Sequence, residues 1–156
     1  MNLISVNMRC IIVDDEPLGS ARVKRLLQGD PDLTTIAIAE NPETALNLLR
    51  DSAPDILFLD IEMPGMNGFE LLEKIRPGKA PYIIFVTAYE EHALHAFEVQ
   101  AVDYLLKPVT RHRIAGALQR AKDLLRNQTT AGTQFAKRLA VKVAEEVILC
   151  GSRGGG

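Results

Sequence analysis

The chain has 156 residues with a formal net charge of -2, and 47% of them are apolar against 24% charged. That is length enough for one full core plus a fragment of a second, and the charge excludes an overall basic footprint for nucleic acid. No apolar run approaches the roughly 18 residues of a membrane span. Residues 1–9 lack a charged-then-apolar signal pattern, and Cys10 and Cys150 lie outside any CxxC, which together point to a reducing cytoplasm.

In chain order, apolar runs alternate with amphipathic stretches. RCIIVDD (9–15) is a short strand ending in acids, with Cys10 a small core residue. PLGSARVKRLLQGD (17–30) predicts a helix, with Pro17 suited to its first position and Gly29 to its stop. TTIAIAE (34–40) is β-branched and alternating. NPETALNLLRDS (41–52) predicts a helix capped by Asn41, with apolar repeats at Ala45, Leu48 and Leu49. DILFLD (55–60) is a strand, GFELLEKIR (68–76) a short helix, and YIIFVTA (82–88) a continuous apolar strand. EEHALHAFEV (90–99) predicts a fourth helix and VDYLL (102–106) a fifth strand. TRHRIAGALQRAKDLLR (110–126) predicts a long last helix, capped by Thr110, with one stripe of Ile114, Ala117, Leu118, Ala121, Leu124 and Leu125.

Five strand–helix pairs of this kind predict an α/β fold, a doubly wound (βα)5 parallel sheet of flavodoxin-like order 2-1-3-4-5. That domain would occupy residues 8–126, followed by a polar linker at 127–137, two short strand-like runs at 138–150 and a flexible tail at 151–156.

In doubly wound sheets, chemistry gathers at the carboxyl ends of the strands. Asp14 and Asp15 end the first strand and Asp60 the third. Thr87 ends the fourth, and Lys107 follows the fifth, before Pro108. With order 2-1-3-4-5 these residues converge on one edge. Each close pair of carboxylates repels by about 1 kcal/mol in water and about 4 at an effective dielectric near 20. A hard divalent cation offsets that, and oxygen ligands suit Mg²⁺. With Lys107 as a compact cation and Thr87 as a hydroxyl donor, the set reads as a phosphoryl-transfer site with a carboxylate nucleophile. The loop behind Asp60, with Glu62, Pro64, Gly65 and Gly68, turns the chain away and leaves this face open. A backbone carbonyl near Glu62 can join the coordination.

IIVDDEP, ILFLDIEMPGMNGFELL, IIFVTAY and AVDYLLKP, in this order and spacing, resemble the response-regulator receiver domain of two-component signalling, over about residues 8–126. The resemblance implies that Asp60 accepts the phosphoryl group from a sensor histidine kinase. It implies Asp14 and Asp15 as metal-site acids, with Asp60 and the Glu62 backbone carbonyl, around Mg²⁺. Thr87 and Lys107 would read the phosphoryl group, Tyr104 would be the aromatic switch, and the Lys107–Pro108 bond would be cis. TAYEEHALHAFEVQAVDYLLKPV is similar to receivers of the LytTR family, and RLAVKV resembles the opening strand of their DNA-binding effector. DNA binding would then belong to a longer parent or be lost, since the chain stops at Gly156.

The implied output is a phosphorylation-enhanced homodimer through the fourth helix, fifth strand and last helix, with Asp103 and Arg111 among its charges. Asp103 is expected on the face opposite Tyr104, pairing across the dimer. A haloacid-dehalogenase-type phosphatase is the competing enzyme reading, suggested by Asp60-Ile61-Glu62. That family, however, carries its nucleophile on a first strand and adds a cap. A stand-alone interaction module is the third reading. His92 and His95, three apart on a helix, read as surface residues rather than ligands.

Overall fold

The computed structural model describes residues 7–75 and 80–127. Five parallel strands form one sheet in the order β2-β1-β3-β4-β5, the flavodoxin-like arrangement the alternation predicts. The chain divides into two compact units between Tyr82 and Ile83.

In the first unit, β1 (Met8–Val13) pairs in parallel with both β2 (Leu33–Ala39) and β3 (Ile56–Leu59). Met8, Cys10, Ile11, Ile12 and Val13 are buried, as are all four residues of β3. A strand shielded on both faces needs apolar residues at every position, which is why these runs do not alternate. Ile12 stands opposite Ile38 on one side and Phe58 on the other. The β1–β2 register shifts by one residue after Cys10, so that Thr35 faces Cys10 while Ala37 faces Ile11. The Cys10 sulfur lies 3.6 Å from the Thr35 hydroxyl. Burial pushes the thiol up to about 11, opposed by that hydroxyl contact.

Helix α1 (Pro17–Leu27) starts on Pro17, whose missing N–H is one that a helix start leaves unpaired anyway. It buries Ser20, Val23 and Leu27 and leaves Leu18 exposed. Helix α2 (Pro42–Ser52) is capped by Asn41, which accepts from the Thr44 N–H at 2.8 Å, and closes on Ala53 in the left-handed region (φ 47°). Helix α3 (Gly68–Glu73) is shorter than predicted. The Lys74 and Ile75 amides bond to carbonyls three residues back, tightening the last turn.

In the second unit, β4 (Tyr82–Thr87) pairs with β5 (Asp103–Leu106), with Phe85 opposite Tyr104 and Thr87 opposite Leu106. Helix α4 spans only Ala93–Glu98, against the predicted 90–99. His92 at its cap makes no side-chain bond to the first turn, so residues 90–92 form a turn instead. Helix α5 (Arg111–Arg126) is capped by the Thr110 hydroxyl on the Arg113 N–H at 3.2 Å. Ile114, Ala117, Leu118, Ala121 and Leu124 of its predicted stripe are buried.

One expectation is overturned. Asp103 does not reach out toward a partner: it is 1% exposed. Its carboxylate binds the Arg120 guanidinium, accepts from Arg113 at 3.4 Å, and accepts from the Tyr104 N–H at 2.7 Å. Arg113 also donates to the Tyr104 carbonyl at 3.2 Å. A carboxylate this deep needs local cations, and α5 supplies both. The linker and strand-like runs expected at 128–150 lie outside the described residues.

Candidate functional site

The hydrogen-bond ladder of the sheet does not stop with the strands. The Asp14 N–H donates to the Ala39 carbonyl at 3.0 Å, and the Asp60 N–H donates to the Val13 carbonyl at 2.9 Å. Each acid is therefore one residue past its strand yet still tied to the neighbouring strand. This is the physical reason for a buried strand ending in a carboxylate: the ladder fixes the backbone from which that side chain projects. The Asp14 carboxylate is oriented further by the Glu16 N–H at 2.9 Å.

Asp14, Asp15 and Asp60 come together here. Each offers one carboxylate oxygen, and the three oxygens lie within 4.8 Å of one another. Asp14 is 2% exposed and Asp60 5%, with Asp15 half-buried. At such separations each ionised pair repels by about 3 kcal/mol at an effective dielectric near 20. Around a six-coordinate Mg²⁺ at about 2.1 Å, adjacent oxygens stand about 3 Å apart and opposite ones about 4 Å, so three carboxylate oxygens gathered in this way suit such an ion in their chemistry and would be drawn together by it. Glu62 is exposed between buried Ile61 and Met63, so its side chain is not among these acids.

The second unit brings Thr87, Tyr104 and Lys107 together. Thr87 and Tyr104 are buried. Tyr89 connects them through its backbone: its N–H donates to the Thr87 hydroxyl at 3.3 Å, and its carbonyl accepts from the Tyr104 hydroxyl. The Tyr104 ring lies 6.3 Å from that of Phe85. The Lys107 N–H donates to the Thr87 carbonyl at 2.8 Å, and the Lys107–Pro108 bond is cis. His92 lies edge-on to the Tyr89 ring, away from any cluster of metal-ligating groups among the described residues.

Two supports were not anticipated. The Asp103–Arg113–Arg120 cluster grips the backbone of Tyr104 at both its N–H and its carbonyl. The start of α3 carries a reciprocal capping box, Asn67 with Glu70, both bonds at 2.9 Å. The second was readable, since Asn-x-x-Glu before an apolar pair is a helix-start signature.

A parallel sheet of order 2-1-3-4-5 with an acid cluster after its first and third strands defines the class of phosphoacceptor switches. The model of the response regulator receiver domain matches residues 10–119, and the chain belongs to that family. It is 41% identical over 115 residues to the transcriptional regulatory protein BtsR of Salmonella typhi, covering 74% of this chain and 48% of BtsR. It is 38% identical over 146 residues to the sensory transduction protein LytT of Bacillus subtilis, covering 91% of this chain and 61% of LytT. The chain thus spans about half the length of curated relatives it matches. The response regulatory domain of mrkE from Klebsiella pneumoniae superposes with a TM-score of 0.72 at 34% identity, over 78% of this chain and all of that one. No helix among the described residues is long and apolar enough to cross a membrane.

Proposed function

We propose that this chain is the input domain of a cytoplasmic transcriptional response regulator, switched by phosphorylation of Asp60 from a sensor histidine kinase. The observation that carries the reading is the three-carboxylate cluster, with Asp60 held in it by the sheet ladder. Asp14, Asp15, Asp60 and the Glu62 backbone carbonyl would hold Mg²⁺. When bound, the ion neutralises the carboxylates and the equatorial oxygens of the transferring group. An Asp60 carboxylate oxygen attacks phosphorus; the O–P bond forms as the P–N bond to the kinase imidazole breaks, and the imidazole nitrogen keeps that electron pair. The Thr87 hydroxyl and the Lys107 ammonium would then read the new phosphoryl group.

The output follows from Tyr89. Thr87 is bonded to its N–H and Tyr104 to its carbonyl, so drawing Thr87 toward a phosphoryl group frees the segment that holds Tyr104. Couplings of this size are typically about 1–3 kcal/mol. Leu94 (58% exposed), Phe97 (37%) and Leu106 (41%) supply the apolar part of a face on α4 and β5. With Arg111 at the start of α5, that face would form a phosphorylation-enhanced homodimer. Asp103 takes no part, because its charge is met within its own subunit. Similarity to BtsR, named a transcriptional regulatory protein, supports a transcriptional output. A DNA-binding effector of LytTR type in a longer parent extends the proposal beyond that name.

Three measurements test this. With acetyl phosphate and Mg²⁺, intact mass should rise by one phosphate, and Asp15→Ala should weaken Mg²⁺ binding at least about tenfold. Unchanged affinity in that variant counts against the metal site. In sedimentation, beryllofluoride should tighten self-association of the parent chain, and Leu94→Glu or Arg111→Glu should weaken it. An association constant indifferent to the mimic removes the dimer from the mechanism.

A further inference from the structure

We propose that Gly68 is a positioning residue for the acid cluster: its lack of a side chain lets the first turn of α3 rest against the backbone of Asp60. The proposal rests on Asp60 being the phosphoacceptor. A Cβ at position 68 would lie 2.7 Å from the Asp60 carbonyl oxygen, 3.2 Å from the Ile61 Cα and 3.2 Å from the Leu59 Cγ. Two of these three atoms are backbone and cannot rotate aside. The Gly68 N–H closes the same contact by donating to the Ile61 carbonyl at 2.8 Å. The glycine is thus required by close approach and not by its backbone angles, since Gly65 is the glycine with positive φ among the described residues.

The loop between Asp60 and Gly68 has little freedom to absorb an added atom. Asp60 is held to Val13 at one end. Ile61 and Met63 are buried along the way, and the Asn67–Glu70 box fixes the helix start at the other end. Relieving a 2.7 Å contact with a carbonyl oxygen takes a shift of about 0.5 Å, the tolerance within which a working site must be held. Because the Asp60–Ile61 link is what Gly68 touches, the shift falls on the nucleophile. Gly116 in α5 is the natural control, as a Cβ there would meet only the Arg120 guanidinium tip at 3.7 Å. Helix propensity alone favours alanine at both positions, so a loss at 68 that is absent at 116 isolates the contact.

The test uses the full chain as parent, Gly68→Ala and Gly116→Ala, with Mg²⁺ affinity by calorimetry and phosphate uptake from acetyl phosphate by intact mass. Gly116→Ala should match the parent. Gly68→Ala should keep its far-UV circular dichroism, bind Mg²⁺ about tenfold more weakly, and take up phosphate at least about tenfold more slowly. The rate deficit should persist at saturating Mg²⁺, which a merely less stable fold would not produce. Parent-like affinity and rate in Gly68→Ala overturn the proposal. If Gly68→Ala does not fold, Glu70→Ala decides: it loosens the α3 start without adding an atom, and an uptake rate about threefold lower supports the proposal while an unchanged rate overturns it. A parent chain that neither binds Mg²⁺ nor takes up phosphate overturns the underlying phosphoacceptor reading, and the proposal with it.

Discussion

Asp60→Asn is expected to abolish the gain of phosphate mass from acetyl phosphate while making the metal-free protein more stable. The two effects share one cause. Asparagine nearly matches the shape of aspartate, so the bond from the residue 60 amide to Val13 survives and the loop stays in place. The amide lacks the anionic oxygen that attacks phosphorus, so uptake should vanish rather than merely slow. The same change removes one of three charges whose oxygens lie within 4.8 Å of one another. Relief of two repulsive pairs should raise metal-free stability by about 1–3 kcal/mol, or the melting temperature by roughly 5–10 °C. Calorimetry without Mg²⁺ checks this, and intact mass checks the chemistry. Retention of phosphate in Asp60→Asn moves the acceptor elsewhere; a melting temperature that falls shows that the cluster is not strained by its own charge.

The second large effect concerns Arg120. Asp103 lies almost fully buried, and burial raises its carboxyl above the ordinary 3.8; the Arg120 charge, the Tyr104 N–H and Arg113 pull the other way without cancelling it. The folded chain therefore holds this proton more tightly than the unfolded chain. Its stability falls as pH rises from the unfolded value through the raised folded value, and the whole cost is present above that window. Arg120→Met removes the strongest opposing charge, which raises the folded value further and widens the window. Arg113 remains, but its side chain is 42% exposed and 3.4 Å away, a weaker tie. The variant should lose about 2–3 kcal/mol at pH 7, a melting temperature lower by roughly 10 °C, with a smaller loss at a second, more acidic pH, where Asp103 keeps its proton. Thermal unfolding of both chains at the two pH values checks this. A loss that does not change with pH means that Arg120 stabilises α5 by packing alone.

Much of this molecule was legible in its residues. The apolar runs Cys10–Val13, Ile56–Leu59 and Ile83–Val86 read as parallel strands because the middle of a sheet covered on both sides leaves little room for polar groups. Asn41, Thr110 and Pro17 marked their helix starts by chemistry that acts within one turn. The Asp14–Asp15–Asp60 cluster followed once the strand order was assumed. The environment of Asp103 did not follow. Period-two reasoning placed it on the opposite face from Tyr104, but pattern alone cannot say that α5 covers that face with two guanidinium groups ten and seventeen residues away in sequence. The short α4 was also hidden, because the apolar spacing at Ala93, Ala96 and Phe97 suits a longer helix, and only the missing cap at His92 argues against one.

The register shift between β1 and β2 bears on how the protein behaves when concentrated. β2 is an outermost strand, and such strands expose backbone donors and acceptors to which a foreign strand can add. An extra residue on β2, Ile36, breaks the regular spacing of those groups midway along it. A guest strand that matched one half of β2 would be out of step with the other. The irregularity therefore works as a guard against fibrous stacking, on the opposite side of the sheet from β5. Removing Ile36 would restore even spacing there while leaving Thr35 opposite Cys10 and Ala37 opposite Ile11, so the edge would become regular without turning any side chain over.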